Sequence, residues 1–265
     1  MIKPGEIQKK ANAVGVRDTQ IEKDYILTWV LQGIANHAAL SKQLIFKGGT
    51  VLKKSYFEDY RFSEDLDFTL LDDTIENETI FQAFGEVFEY IREEANIPLE
   101  IIKDHEHQSG SINFYIGYTG PLGGLGTNKR LKVDITRGEI LEFEALERRI
   151  FSEYSDSDEF VLLCYSLEEI LIEKMCALMG RTQPRDYYDL WYLLEIEGMD
   201  IKYFWPEFER KAANKNHNPE ELASKLEKKL NVFKGRWKGT LSDQIKDLPD
   251  FDQITRELNK HFRKI

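Results

Sequence analysis

The sequence predicts an α+β fold, with a mixed α/β domain over residues 1–155 and an α-helical domain over 156–265. Three observations carry that expectation. Residues 62–70, 111–118 and 131–136 alternate apolar and polar side chains, the period of half-buried strands in a small mixed sheet. Residues 19–40 and 76–96 repeat their apolar positions with a helical period instead. From about Ser166 the chain reads as mainly helical to its end, after a composition shift near 150–165.

In chain order, "TQIEKDYILTWVLQGIANHAAL" reads as an N-terminal amphipathic helix, with Thr19 placed to cap it and Ile21, Tyr25, Trp29 and Ile34 among its apolar positions. "KQLIFKGG" is a short apolar run stopped by two glycines, a buried strand entering a tight turn, and "TVLKKSYF" starts a helix. In "RFSEDLDFTLL" Leu66, Phe68 and Leu70 share one face, and Asp65, Asp67 and Thr69 share the other. "SINFYIGY" and "LKVDIT" are further strands, joined by "TGPLGGLGTNKR", whose four glycines and one proline read as a hairpin-like loop. In "SLEEILIEKMCALMGR" the apolar seam is interrupted by Lys174, a lysine that is costly to bury unless paired. The next helix, "TQPRDYYDLWYLL", has Thr182 as its expected cap and Pro184 in its first turn. Its Asp186 and Asp189 share a face, and either can reach Lys174.

Composition excludes several classes. With 42% hydrophobic and 31% charged residues over 265 positions, the chain is globular rather than disordered. It holds no apolar run of membrane-spanning length, about 18–20 residues, and its start lacks the apolar core of a signal peptide. Two cysteines without CxxC or Cys/His grouping offer neither a disulfide framework nor a zinc site. These readings place the chain in the cytoplasm. Net charge is −11, but residues 202–265 carry 15 Lys+Arg against 10 Asp+Glu, a net of +5 on an otherwise acidic chain. That tail is the expected RNA-facing surface.

The chemistry is concentrated in three acids. Asp65 and Asp67 lie two apart on one strand face, where two carboxylates can converge on a hard cation such as Mg2+ or Mn2+. Asp134 occupies the polar face of a second strand and completes a set suited to metal-assisted phosphoryl chemistry. Gly48 and Gly49 let the backbone approach a triphosphate, with Thr50 at a helix start. Lys132 shares the face of Asp134, and Ser63 that of Asp65, so both are candidate phosphate contacts; Arg181 either binds phosphate or pairs with acids. For Asp65-Leu66-Asp67 the alternative is a solvated strand edge. For Lys174 it is a buried Lys–Asp tie between two helices. His105-Glu106-His107 reads as a surface loop, and "YYDLWYLL" as core.

The run "GGT…SEDLDF…KVDIT" resembles the polymerase-beta-like nucleotidyltransferase superfamily, and more closely the chain resembles the AbiEii/AbiGii toxin family. That likeness covers most of residues 19–195 and includes "IEKDYILTWVL", "FKGGTVLKKSY", "RFSEDLDF" and "LIEKMCALMGRTQPRDYYDLWYLL". It implies a polymerase-beta-like nucleotidyltransferase domain followed by helices, with an NTP as substrate and Mg2+ as cofactor. It further implies that Lys174 contacts nucleotide phosphates and that Asp186 or Asp189 is also required. RNA such as the tRNA 3′ end is the implied acceptor, and a cognate antitoxin the implied partner. A phosphotransferase using the same metal site and a non-catalytic nucleotide-binding module are the alternatives. The tail after about residue 200 matches nothing in that likeness.

Overall fold

The computed structural model describes residues 1–124 and 129–263, so residues 125–128 of the expected glycine-rich loop lie outside the described residues. Two compact units divide the chain. The first comprises Met1–Glu139 and Ala145–Tyr165, the second Ile140–Glu144 and Ser166–Ile265.

The first unit opens with helices α1 (Pro4–Val14), α2 (Asp18–Asn36) and α3 (Leu40–Gln43), then β1 (Leu44–Lys47). Helix α4 (Gly48–Val51) starts at the first glycine and runs into a π-helical turn, Leu52–Tyr56. There follow β2 (Asp65–Leu70), α5 (Asn77–Ala95), β3 (Leu99–Glu106), β4 (Ile112–Tyr118), β5 (Arg130–Thr136), β6 (Leu146–Ile150) and β7 (Phe160–Cys164). Among the described residues these seven strands form one mixed sheet, ordered β3-β4-β5-β2-β1-β7-β6. The expected domain break at 155/156 precedes β7, which pairs with β1 and β6 and extends the first unit through Tyr165.

Alternation works as read in the central strands. Leu66 and Phe68 of β2 align with Val133 and Ile135 of β5, which align in turn with Phe114 and Ile112 of β4. All six are buried and form the core face. Helix α5 covers this face, with Phe84 edge-on to Phe114 at a ring-centroid separation of 4.9 Å. Helix α2 lies close against α5 because Gly33 has no side chain there: a Cβ would sit 2.7 Å from Val87.

Three local expectations are corrected. Helix α2 begins at Asp18 with Arg17 at the cap position and no side-chain cap, so Thr19 lies inside the first turn. Nor is α2 amphipathic. Gln20, Glu22, Asp24 and Thr28 are buried along with its apolar residues, because the unit's loops pack on its polar side. The His105-Glu106-His107 segment is the end and flank of strand β3, not a loop; Asn113 of β4 holds His107 at 2.7 Å.

In the second unit Ser166 caps α6 (Leu167–Gly180), accepting the Glu169 N–H at 3.2 Å. Helix α7 (Pro184–Trp191) starts with Pro184 as expected, but Gln183 holds the cap position, not Thr182. Helices α8 (Trp205–Asn214), α9 (Leu222–Leu241) and α10 (Phe251–Phe262) complete it. Tyr187 stacks on Phe233 at 4.9 Å beside Trp237 and Phe251, so the aromatic run of α7 is core. Lys211 and Glu169, both fully buried, pair at 2.6 Å, and the other Glu169 oxygen accepts the Glu142 and Phe143 N–H groups. That pair fastens Ile140–Glu144 into the second unit. No helix among the described residues is long and apolar enough to cross a membrane.

Candidate active site

The parallel ladder between β2 and β5 sets the site of the first unit. Asp67 stands opposite Asp134 and Asp65 opposite Lys132. Partners across a ladder share a face, so all four project from the side opposite the α5-covered core. All are half-buried, with Lys132 and Asp134 side chains 34% and 28% exposed. Lys132 Nζ donates to Asp134 Oδ2 at 2.5 Å. Partial burial opposes the lysine's charge, but the Asp134 hydrogen bond and the charges of Asp134, Asp65 and Asp67 outweigh it and raise its pKa. One cation thus reads the field of all three carboxylates.

The glycine pair is fitted to this cluster. Gly48 has φ +83°, which favours glycine, and a Cβ there would collide with the Asp67 carboxylate. The main chain at Gly48 therefore comes to contact distance of one of the three acids. Thr50 is buried, and its hydroxyl donates to the Asp65 carbonyl at 2.5 Å, tying helix α4 to the start of β2. That hydroxyl holds the strand bearing the acids in place. Ser63 is also buried, just before β2.

Sequence reasoning missed Lys47. It lies opposite Asp67 in the β1–β2 ladder, is buried, and sets its Nζ 3.7 Å from Glu139 and 5.6 Å from the Tyr165 ring centre. The available signal was a lysine ending an otherwise apolar strand, immediately before the glycines. Helix α2 supplies a second unread set. Glu22 accepts from the Leu122 N–H at 2.8 Å and from Lys129 at 3.0 Å, and Lys23 pairs with Glu64 at 2.8 Å. Asp24 accepts from Lys54 at 2.6 Å and from the Tyr154 hydroxyl at 2.7 Å.

The donor set fits a hard divalent cation, since it consists of carboxylate oxygens on one sheet face beside a main-chain approach. Among the described residues no group of three or more His, Cys, Asp or Glu is gathered tightly enough to hold a metal ion. Phosphate oxygens and water would therefore have to complete any shell at Asp65 and Asp67.

In the second unit Lys174 is buried and meets both aspartates, Asp186 at 2.9 Å and Asp189 at 2.6 Å. Arg181 adds two hydrogen bonds to Asp186, at 2.7 and 3.0 Å. Burial disfavours the Asp186 carboxylate, but Lys174 and Arg181 outweigh it and hold its pKa below the usual value. Within its own unit this cluster ties α6 to α7.

The family model for the nucleotidyl transferase AbiEii toxin of type IV toxin–antitoxin systems matches residues 29–257. The match includes most of the tail that the sequence likeness left unplaced. JHP933 from Helicobacter pylori is similar in structure, with a TM-score of 0.58 and 17% identity over 94% of this chain and 92% of that one. MenT4, the nucleotidyltransferase toxin Rv2826c from Mycobacterium tuberculosis H37Rv, gives a TM-score of 0.52 and 20% identity, covering 72% and 64%. At these identities the solved structures show a shared fold. No curated protein matches the sequence.

Proposed function

The chain belongs to the AbiEii nucleotidyltransferase toxin family, and from that premise we propose that it uses a divalent metal to transfer a nucleotidyl group from an NTP to an RNA hydroxyl, the tRNA 3′ end being one acceptor. The observation that carries the reading is the register Asp67–Asp134 beside Asp65–Lys132, which sets three acids and a lysine on one face.

Asp65 and Asp67 would hold the metal, which when bound supplies charge neutralisation on the phosphates and polarises the phosphorus under attack. The Gly48–Gly49 main chain, Lys132 and Ser63 bind phosphate oxygens, and the Thr50 hydroxyl keeps helix α4 on the start of the strand carrying the acids. As Lys132 turns to phosphate, Asp134 Oδ2 is released to accept the proton of the acceptor hydroxyl. The acceptor's hydroxyl oxygen bonds to the α-phosphorus, the bond from the α-phosphorus to its bridging oxygen breaks, and pyrophosphate leaves with the electron pair. A cognate antitoxin follows from the toxin family, and the cytoplasm is the compartment where NTP and RNA meet the enzyme.

The test incubates the protein with Mg2+, total RNA and NTPs labelled on the α- or the γ-phosphate, beside Asp67→Ala. The expected result is α-label on RNA, lowered at least about a hundredfold in the variant, as losing a metal ligand should exceed losing a supporting group. Wild-type expression should slow host growth, and Asp67→Ala should not. Transfer of γ-label alone would show a phosphotransferase, and binding without transfer a nucleotide-binding module.

A further inference from the structure

The polar face of the sheet does not end at the acids. Cross-strand partners extend the row Lys47–Asp67–Asp134 to Asn113 in β4 and His105 in β3. The neighbouring row runs from Asp65 and Lys132 to Tyr115 and Lys103. On this face Tyr115 is half-buried, while Lys103 and Arg130 are exposed. The Arg130 guanidinium lies over the Tyr115 ring, 4.6 Å from its centre. A bulge between Ile101 and Lys103 places Ile102 over Gly117 on the same face, and Ile102 is 49% exposed.

We propose that this strip, Tyr115 with Ile102, Lys103 and Arg130, seats the single-stranded end of the RNA acceptor. The proposal rests on the nucleotidyl-transfer reading above and names where its acceptor lies. Single-stranded RNA is held by stacking bases on aromatic rings and arginine planes, with cations along the phosphates. The strip offers each of these: a ring already paired with a guanidinium, an apolar neighbour, and two cations in a chain whose first 201 residues carry a net −16. It is also contiguous with the reacting end. Tyr115 is two strands from Asp65, about 10 Å at the usual strand spacing, a gap that a terminal nucleotide and its neighbour can span. An acidic polypeptide would satisfy the cations but would leave the ring and Ile102 unused.

The test measures binding of a 5′-fluorescein single-stranded oligoribonucleotide by anisotropy, and α-label transfer to it, for wild type, Tyr115→Ala, Tyr115→Phe and Arg130→Ala. NTP affinity and thermal unfolding are followed in parallel. Tyr115→Ala should weaken RNA binding and raise the RNA KM roughly tenfold or more, with NTP affinity and unfolding temperature held. Tyr115→Phe should restore binding, since the stacking face remains. A wild type that labels RNA beside a Tyr115→Ala variant that labels it equally well would overturn the strip and leave the transfer reading standing. A wild type that labels no RNA would remove the transfer reading and the strip with it. Poly-glutamate binding as tight as the oligoribonucleotide would also overturn the strip, because charge alone would then account for it.

Discussion

Lys174 shows what a single residue decides. An ammonium group inside an apolar seam is costly to desolvate, and it persists here because two carboxylates receive it at 2.9 and 2.6 Å. From the sequence Lys174 stood out as misplaced, with either aspartate within reach; in the structure it takes both. Asp186 carries the larger load, since Arg181 also grips it. Its folded-state pKa is depressed, so its stabilising effect is complete above the ordinary carboxylate pKa, about 3.9, and is lost as the pH falls through the lower folded value. Asp186→Asn should therefore cost about 1–3 kcal/mol at neutral pH, because Asp189 still receives Lys174 while the charge-assisted bonds to position 186 are lost. Its deficit against wild type should narrow as the pH falls below the ordinary carboxylate pKa and through the lower folded value. Urea unfolding across that range measures both, and a deficit unchanged at acid pH would show that the Asp186 charge is not what stabilises the pair.

At the scale of elements, helix α2 has the most to explain. Successive helical residues project about 100° apart, so Glu22, Lys23 and Asp24 fan out to three segments of the first unit: the β4–β5 loop, the entry to β2, and the helix after the glycines. Only a helix buried nearly all round can do this, and for that reason its amphipathic reading fails. Asp24→Asn and Lys54→Met should each destabilise the protein, and their double-mutant cycle should return a coupling of about 1–3 kcal/mol. Urea unfolding of the four species checks it; additive losses would mean that the pair is not a unit. The same contrast explains how much was legible. Strands β2, β4 and β5 were readable because one face meets the core and the other carries the site, which imposes strict alternation. Strands β3 and β6 were not, because they lie at the sheet edges, where β3 is largely exposed and β6 reads "LERRI". Asp65, Asp67 and Asp134 were likewise readable as face residues. Their register, which sets Asp67 against Asp134 and Asp65 against Lys132, depends on long-range pairing that no local pattern encodes.

For the molecule as a whole, charge poses the remaining problem. A chain of net −11 repels RNA at long range, so binding must rest on a few placed cations rather than a broad field. The +5 tail looked suited to that task, yet several of its cations are engaged inside the second unit. Lys211 is buried on Glu169, Lys225 meets Glu221, and Lys234 meets Asp252. Lys229 donates to the carbonyls of Leu178, Met179 and Arg181, and Arg210 pairs with Glu142 and Glu207. The strip on the first unit's sheet offers two exposed cations instead, Lys103 and Arg130. For single strands each neutralised phosphate contributes roughly −0.7 to the slope of log K against log salt. Two contacts give a slope of about −1.4, whereas recruiting the tail's lysines and arginines as well would steepen it to about −5 or beyond. Binding of the oligoribonucleotide between about 50 and 200 mM salt separates the two. The expected slope is the shallow one, and it should fall by roughly 0.7 in Arg130→Ala. A steep slope indifferent to Arg130 would overturn the strip as the seat of the RNA, because contacts well beyond its own cations would then be needed to produce it.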